Sequence, residues 1–276
     1  MMLNAKIIEN IIDAVREAGQ TEIMPRFRKL DAASINSKSA PDDLVTIADE
    51  NAEKLIAALV RQVLPEADFV GEEACERDPS LMSLIDGSEM AVIIDPVDGT
   101  WNYANGLATF GSIIAVTMRG ETVFGLLYDP VMDDWIAAEK GSGAWSVTTG
   151  DKRVLSCAQP QDILSGYIPF NMFSPDVKKD LFGVLPQFDR VASLRCSCHE
   201  YRMLAQGHVG FCIAASLKPW DHAAGALIVE EAGGVARLID NTPYRPGIFT
   251  GTMLTAVSED VFENVVGILQ PVFAKR

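Results

Sequence analysis

Apolar residues recur at helical spacing from the start of the chain: Ile7, Ile8, Ile11, Ile12 and Val15 form one stripe, ended by Gly19. A short helix is predicted over Glu22–Lys29, then a polar loop over Asp31–Asp42 with Lys38 among serines. Thr46 followed three residues later by Asp49 has the form of a capping box, opening a helix that runs to about Leu64 before Pro65. Phe69–Gly71 and Met90–Ile94 are short apolar runs of strand type, and 111–119 with 122–128 form a hairpin around Gly120-Glu121. Trp135–Glu139 continues the strands, and Gly141-Ser142-Gly143 is a turn.

The second half alternates. Strands are predicted at Ile163–Ile168, Arg190–Leu194, Val209–Ile213 and Leu254–Val257. Helices are predicted at Pro175–Leu185, His199–Gly207, from Trp220 to the glycines at 233–234, and at Glu259–Phe273. The Trp220 helix is small and apolar on all sides, hence buried. This mixture implies a layered α/β or α+β architecture. A polar break at 147–153 divides an N-terminal α+β part, 1–150, from a C-terminal α/β part, 151–276.

Composition narrows the function. A net charge of −15 over 276 residues disfavours direct binding to nucleic acid, while bound cations would still allow a small anionic substrate. Five cysteines without a regular framework suit a reducing compartment, and a cytoplasmic location is expected. Cys196 and Cys198 lack a second pair at zinc spacing, which favours packing over metal binding. The charged N-terminal stripe does not have the form of a signal-peptide core, and no apolar run reaches membrane-spanning length.

The chemistry concentrates at Asp95-Pro96-Val97-Asp98-Gly99-Thr100, where two carboxylates end an apolar strand and a Gly-Thr opens a helix. Taken alone this is an acidic turn. Asp49 alone is a helix-start residue and Asp221 alone an N-cap. Yet Glu72, Asp95, Asp98 and Asp221 all stand at predicted element ends without a neighbouring cluster of basic residues, which suggests a hard-cation site for Mg²⁺ or Mn²⁺. Two cations sharing one carboxylate suit in-line phosphoryl displacement: one activates water and the other stabilises the leaving oxygen. The Gly99 and Thr100 amides supply a phosphate cradle beside them.

Gly71-Glu72-Glu73, the stretch Asp95–Tyr103, Trp220-Asp221-His222-Ala223-Ala224-Gly225 and Glu231-Ala232-Gly233-Gly234 resemble, in order, the signatures of the inositol monophosphatase family; Leu44–Asp49 resembles its upstream segment. The resemblance implies an α-β-α-β-α sandwich and a Mg²⁺-dependent phosphomonoesterase with two or three ions, sensitive to lithium and homodimeric. It assigns Glu72, Asp95 and the Val97 carbonyl to a first metal and Asp95, Asp98 and Asp221 to a second, with a third ion leaning on Glu72. Thr100 and Asp49 would orient the attacking water, Gly99 and Thr100 would hold phosphate beside Asp98, and Lys38 would fall in a loop folded over the metals.

Two departures bear on the substrate. Members that favour inositol phosphates carry an acidic residue about six positions before the Trp-Asp pair, where this chain reads Ile213-Ala214-Ala215-Ser216. The family's small-residue turn is replaced by Arg195-Cys196-Ser197-Cys198, followed by His199-Glu200, so the substrate rim around Arg195 and Ser197 is bulkier and differently charged. Arg195 would contact a second anionic group or form an ordinary surface salt bridge, and His199 reads as a helix-start residue. The expected substrate is a small phosphate monoester. Histidinol phosphate or another sugar or nucleotide phosphate is the alternative within the fold, and a regulatory partner of RNA-associated machinery is the alternative outside catalysis.

Overall fold

The computed structural model describes residues 3–30, 35–37, 44–157 and 164–273; Lys38 lies outside them. In chain order the elements of the first half are α1 (Ala5–Ala18), β1 (Ile35–Ser37), β2 (Leu44–Thr46), α2 (Ile47–Val63), β3 (Asp68–Gly71), α3 (Glu72–Arg77), α4 (Leu84–Gly87), β4 (Met90–Asp98), α5 (Thr100–Ala104), β5 (Gly111–Met118), β6 (Glu121–Asp129), β7 (Asp134–Glu139), β8 (Gly143–Thr148) and β9 (Asp151–Val154). The second half holds β10 (Ser165–Tyr167), α6 (Pro175–Val184), β11 (Arg190–Ala192), α7 (Ser197–Ala205), β12 (Phe211–Ala214), α8 (Pro219–Glu231), β13 (Val235–Leu238), β14 (Met253–Ala256) and α9 (Glu259–Phe273).

A seven-stranded sheet runs β3-β4-β5-β6-β7-β8-β9, and a five-stranded sheet runs β11-β10-β12-β14-β13. Only the β3–β4 pair is parallel in the larger sheet. The alternation of side chains shows how the layers stack. On β4, Val92 and Ile94 pack with Ile11 and Val15 of α1 and Ile56 and Val60 of α2. Ala91 and Ile93 face the other way, into a core shared with α7 and α8. On β12, Cys212 and Ala214 enter that same central core, whereas Phe211 and Ile213 join Leu181 of α6 and Val265 and Leu269 of α9. The order is α1/α2, larger sheet, α7/α8, smaller sheet, α6/α9, the layered α-β-α-β-α sandwich expected from the resemblance.

A helix between two sheets has no solvent face, and α8 accordingly buries residues all round, from Trp220 through Ala223, Ala224 and Gly225 to Ile228 and Val229. Its first turn emerges where β4 ends, which brings Asp221 to Asp95 and Asp98.

Several local predictions change. The stretch Glu22–Lys29 is a π turn (Gly19–Ile23) and a 3-10 turn (Met24–Arg26), because Pro25 has no N–H with which to continue an α-helix. Glu72-Glu73 open a short helix, α3, where no helix is predicted. The stretch 147–153 spans the turn from β8 to β9, and β9 pairs with β8 at the edge of the larger sheet.

Candidate active site

Residues three apart on a regular strand point to opposite faces. Asp95 and Asp98 escape that rule through a bulge: β4 pairs Asp95 with Ile113 and Asp98 with Gly111, so Pro96 and Val97 lie in a register shift. The bulge is pinned from the next strand, where the Ser112 hydroxyl donates to the Pro96 carbonyl at 2.7 Å. Carboxylate oxygens of Asp95, Asp98 and Asp221 consequently lie within 4.8 Å of one another.

The three sit in surroundings that oppose their charge. Burial, then Glu72, Asp98, Asp221 and Asp49, push the Asp95 carboxyl well above the usual carboxylate range. Burial with Asp98 and Glu72 does the same to Asp221, which shares a hydrogen bond with Asp95. Asp98 is pushed up by burial to about 6, although the Cys198 N–H and the Cys196 thiol (3.1 Å) donate to its Oδ2. These oxygen donors fit a divalent hard cation, which would offset the crowded negative charge that burial makes expensive. Glu72 stands one residue beyond β3, the strand parallel to β4, and lines the same cavity.

The chain then turns sharply. Gly99 has φ +84°, a left-handed conformation, and a Cβ there would meet the Thr109 carbonyl at 3.0 Å and Cys196 Cβ at 3.2 Å. It caps α5, so Thr100 begins the helix beside the carboxylates. The Thr100 hydroxyl contacts the Val97 carbonyl at 2.9 Å and Asp49 Oδ1 at 3.1 Å. Asp49 is buried and held by the predicted capping box: its Oδ2 accepts the Thr46 N–H at 2.9 Å and the Thr46 hydroxyl at 2.6 Å.

Glu53, one helical turn beyond Asp49, is a residue the sequence pattern does not single out. Its carboxylate, 5% exposed, accepts the Glu73 N–H at 2.7 Å and lies 3.7 Å from Arg77. Gly71 leaves room for it, since a Cβ there would fall 2.3 Å from the Glu53 carboxyl. Asp49 and Glu53 thus brace the two sides of the cluster from a single helix face.

A cavity of about 560 Å³ opens over Glu72, Asp98, Gly99 and Thr100. Arg195 and Ser197 line it as well. Arg195 is exposed, has φ +53°, and lays its guanidinium 4.3 Å from the centre of the Trp101 ring. Lys218 also lines the cavity, with its ammonium 5.4 Å from the Trp220 ring. Cys196 and Cys198 are buried free thiols packed at Asp98, as expected from their spacing. His199 lies in the first turn of α7, which opens two residues earlier than predicted, at Ser197; it is half-buried, with Nε2 3.1 Å from the Phe110 carbonyl.

Comparisons with known proteins give the family and the fold. The model of the inositol monophosphatase family matches residues 3–265. The inositol-1-monophosphatase of Bacillus subtilis is 30% identical over 233 residues, 83% of this chain and 84% of that protein. The Nus factor SuhB of Escherichia coli K12 is 31% identical over 233 residues, 81% of this chain and 82% of that protein. An IMPase of Thermotoga maritima superposes with a TM-score of 0.80 at 23% identity, over 97% of this chain and 98% of its own. A family match that spans nearly the whole chain, with relatives 30–31% identical over four-fifths of both chains, places this protein in the inositol monophosphatase family.

Proposed function

We propose that the chain is a Mg²⁺-dependent phosphatase that hydrolyses a small phosphate monoester. The convergence of Asp95, Asp98 and Asp221 beside the start of α5 is the observation that carries this reading. Glu72, Asp95, the Val97 carbonyl, Asp98 and Asp221 would hold two or three Mg²⁺ ions, or Mn²⁺ in their place. Such ions supply Lewis acidity that makes water a nucleophile near neutral pH and offsets charge on the leaving oxygen. The chain's own residues do the rest. The Gly99 and Thr100 amides bind phosphate oxygens, with Ser197 and Arg195 on the cavity's other side. Thr100, steered by Asp49, orients the attacking water in line with the scissile P–O bond. In this reading residues 1–150 carry most of the metal ligands, and 151–276 carry Asp221 and the wall around the alcohol.

The test is phosphate release with and without Mg²⁺ on inositol 1-phosphate, histidinol phosphate, fructose 1,6-bisphosphate, a 3′-phosphorylated nucleotide and glycerol 2-phosphate. Excess chelator should abolish release, Mg²⁺ should restore it, and lithium should inhibit it. Release that persists unchanged in chelator overturns the reading. A homodimer belongs to the same reading and is checked by sedimentation. Relatives named Nus factors support a second role as a regulatory interaction protein; Asp95→Asn separates the two, because it removes turnover and spares an interaction.

A further inference from the structure

On α7, the cavity wall holds a buried acidic side chain, Glu200, that has no role so far. Glu200 lies on the first turn of α7, two residues beyond Cys198, whose N–H holds Asp98. It lines the cavity and is 7% exposed. Oε1 accepts the Leu194 N–H at 2.7 Å and the Ser193 hydroxyl at 3.3 Å, a brace for the chain leading to Arg195. Oε2 faces only a weak donor, the Cys212 thiol at 3.6 Å. These donors are all neutral, so the buried carboxylate meets no charge of opposite sign among them.

The neighbouring wall is small and uncharged: Ala214, Ala215 and Ser216 leave space in front of α7. Arg195 and Lys218, each lying against an aromatic ring, supply the positive charge on the cavity's lining. The cavity therefore pairs cationic side chains suited to an anionic ester with a buried acid that has no cationic hydrogen-bond partner among the described residues. Burial holds the Glu200 carboxyl at about 7, so a cation brought against it would stabilise its ionised form.

We propose that Glu200 is a specificity-determining residue, and that the substrates are phosphate monoesters whose alcohol portion carries a protonated amine. The inference rests on the phosphatase reading above and names its substrate class. A neutral polyol would leave the acid without a charge partner, whereas an ammonium group desolvated against Oε2 forms a charge-assisted hydrogen bond in a water-poor wall.

The experiment compares isosteres. O-phosphoethanolamine and 3-aminopropyl phosphate are assayed against n-propyl and n-butyl phosphate, with histidinol phosphate and glycerol 2-phosphate alongside, all at saturating Mg²⁺. The better amine should exceed its neutral isostere about tenfold or more in kcat/KM, mainly through KM. Glu200→Gln keeps an acceptor for Leu194 and should bring that ratio down to about two- or threefold. Equal kcat/KM within the isostere pairs overturns the inference, as does a ratio that Glu200→Gln does not move. A second arm reads the Tm shift that each ester gives the Mg²⁺-loaded protein. Should no ester release phosphate, the phosphatase reading falls. This binding arm still decides the role of Glu200: a larger shift from the amine, abolished by Glu200→Gln, supports it, and equal shifts overturn it.

Discussion

Thr100 Oγ1 lies 3.1 Å from Asp49 Oδ1 although the two residues are 51 positions apart. A hydroxyl has one hydrogen, and the second oxygen of Asp49 is already committed to Thr46. With its hydrogen on Asp49, Thr100 presents a lone pair that would accept a hydrogen bond from the attacking water and so orient it. Thr100→Ala should lower kcat by about 10²–10³-fold, while Thr100→Ser retains most activity. Steady-state kinetics at saturating Mg²⁺ check this, with Tm expected to change little.

Glu53 holds the N–H of Glu73 and thereby the start of α3, where Glu72 projects. Glu53→Ala would leave that buried N–H without its acceptor, at a cost of about 1–3 kcal/mol. For a chain of this size that is a fall in Tm of roughly 5 °C. Glu53→Gln keeps an acceptor and should cost less. Thermal melts of both variants, with the Mg²⁺ concentration for half-maximal activity, test the link; the alanine variant should need several-fold more Mg²⁺ by displacing Glu72.

Gly99 stands in left-handed backbone against the Thr109 and Arg195 carbonyls. Gly99→Ala should destabilise by about 1–2 kcal/mol from backbone strain alone. It should also tilt the first turn of α5 and cut turnover more than tenfold. Melting curves and kinetics on one preparation separate the two effects.

Glu200 gives stability a pH dependence of known sign. Its carboxyl, raised by burial to about 7 from 4.5, favours the fold when protonated. That contribution is present below 4.5 and is lost as pH rises through 7. Glu200→Gln has no such loss. Relative to wild type, its Tm should therefore rise between pH 5 and pH 8, by roughly 5 °C. A difference that stays flat over this range contradicts the buried-acid description.

Much of this was legible in the sequence, and the limits have physical causes. The capping box at Thr46 and Asp49 was visible because its spacing is local, and it opens α2 as predicted. The strands β4, β5 and β6 were visible because both faces are buried and the runs are long. Strand β9 was not, since all four of its residues are exposed and it carries no apolar signal. The order of layers depends on contacts between distant elements; only the family resemblance supplied it beforehand. The bulge between Asp95 and Asp98 was not legible: the stretch after Ile94 read as an acidic turn, whereas β4 runs on to Asp98 and the pairing partner that defines the bulge lies on another strand. Glu53 escaped notice because a glutamate on a helix is ordinarily solvated, and nothing local shows Gly71 making room for it.

The division of labour around the cavity has one last consequence. The groups proposed to cleave the ester stand on β4, α5 and the starts of α2 and α3, joined by one carboxylate from α8, whereas 193–200 and 212–218 supply much of the remaining cavity wall. Within those two segments, cavity-facing side chains such as Ala215 and Ser216 can change while the Cys196 and Cys198 contacts that hold Asp98 stay in place. A lineage built on this scaffold can thus acquire new substrates by changing a few side chains of the cavity wall, leaving the phosphate end intact.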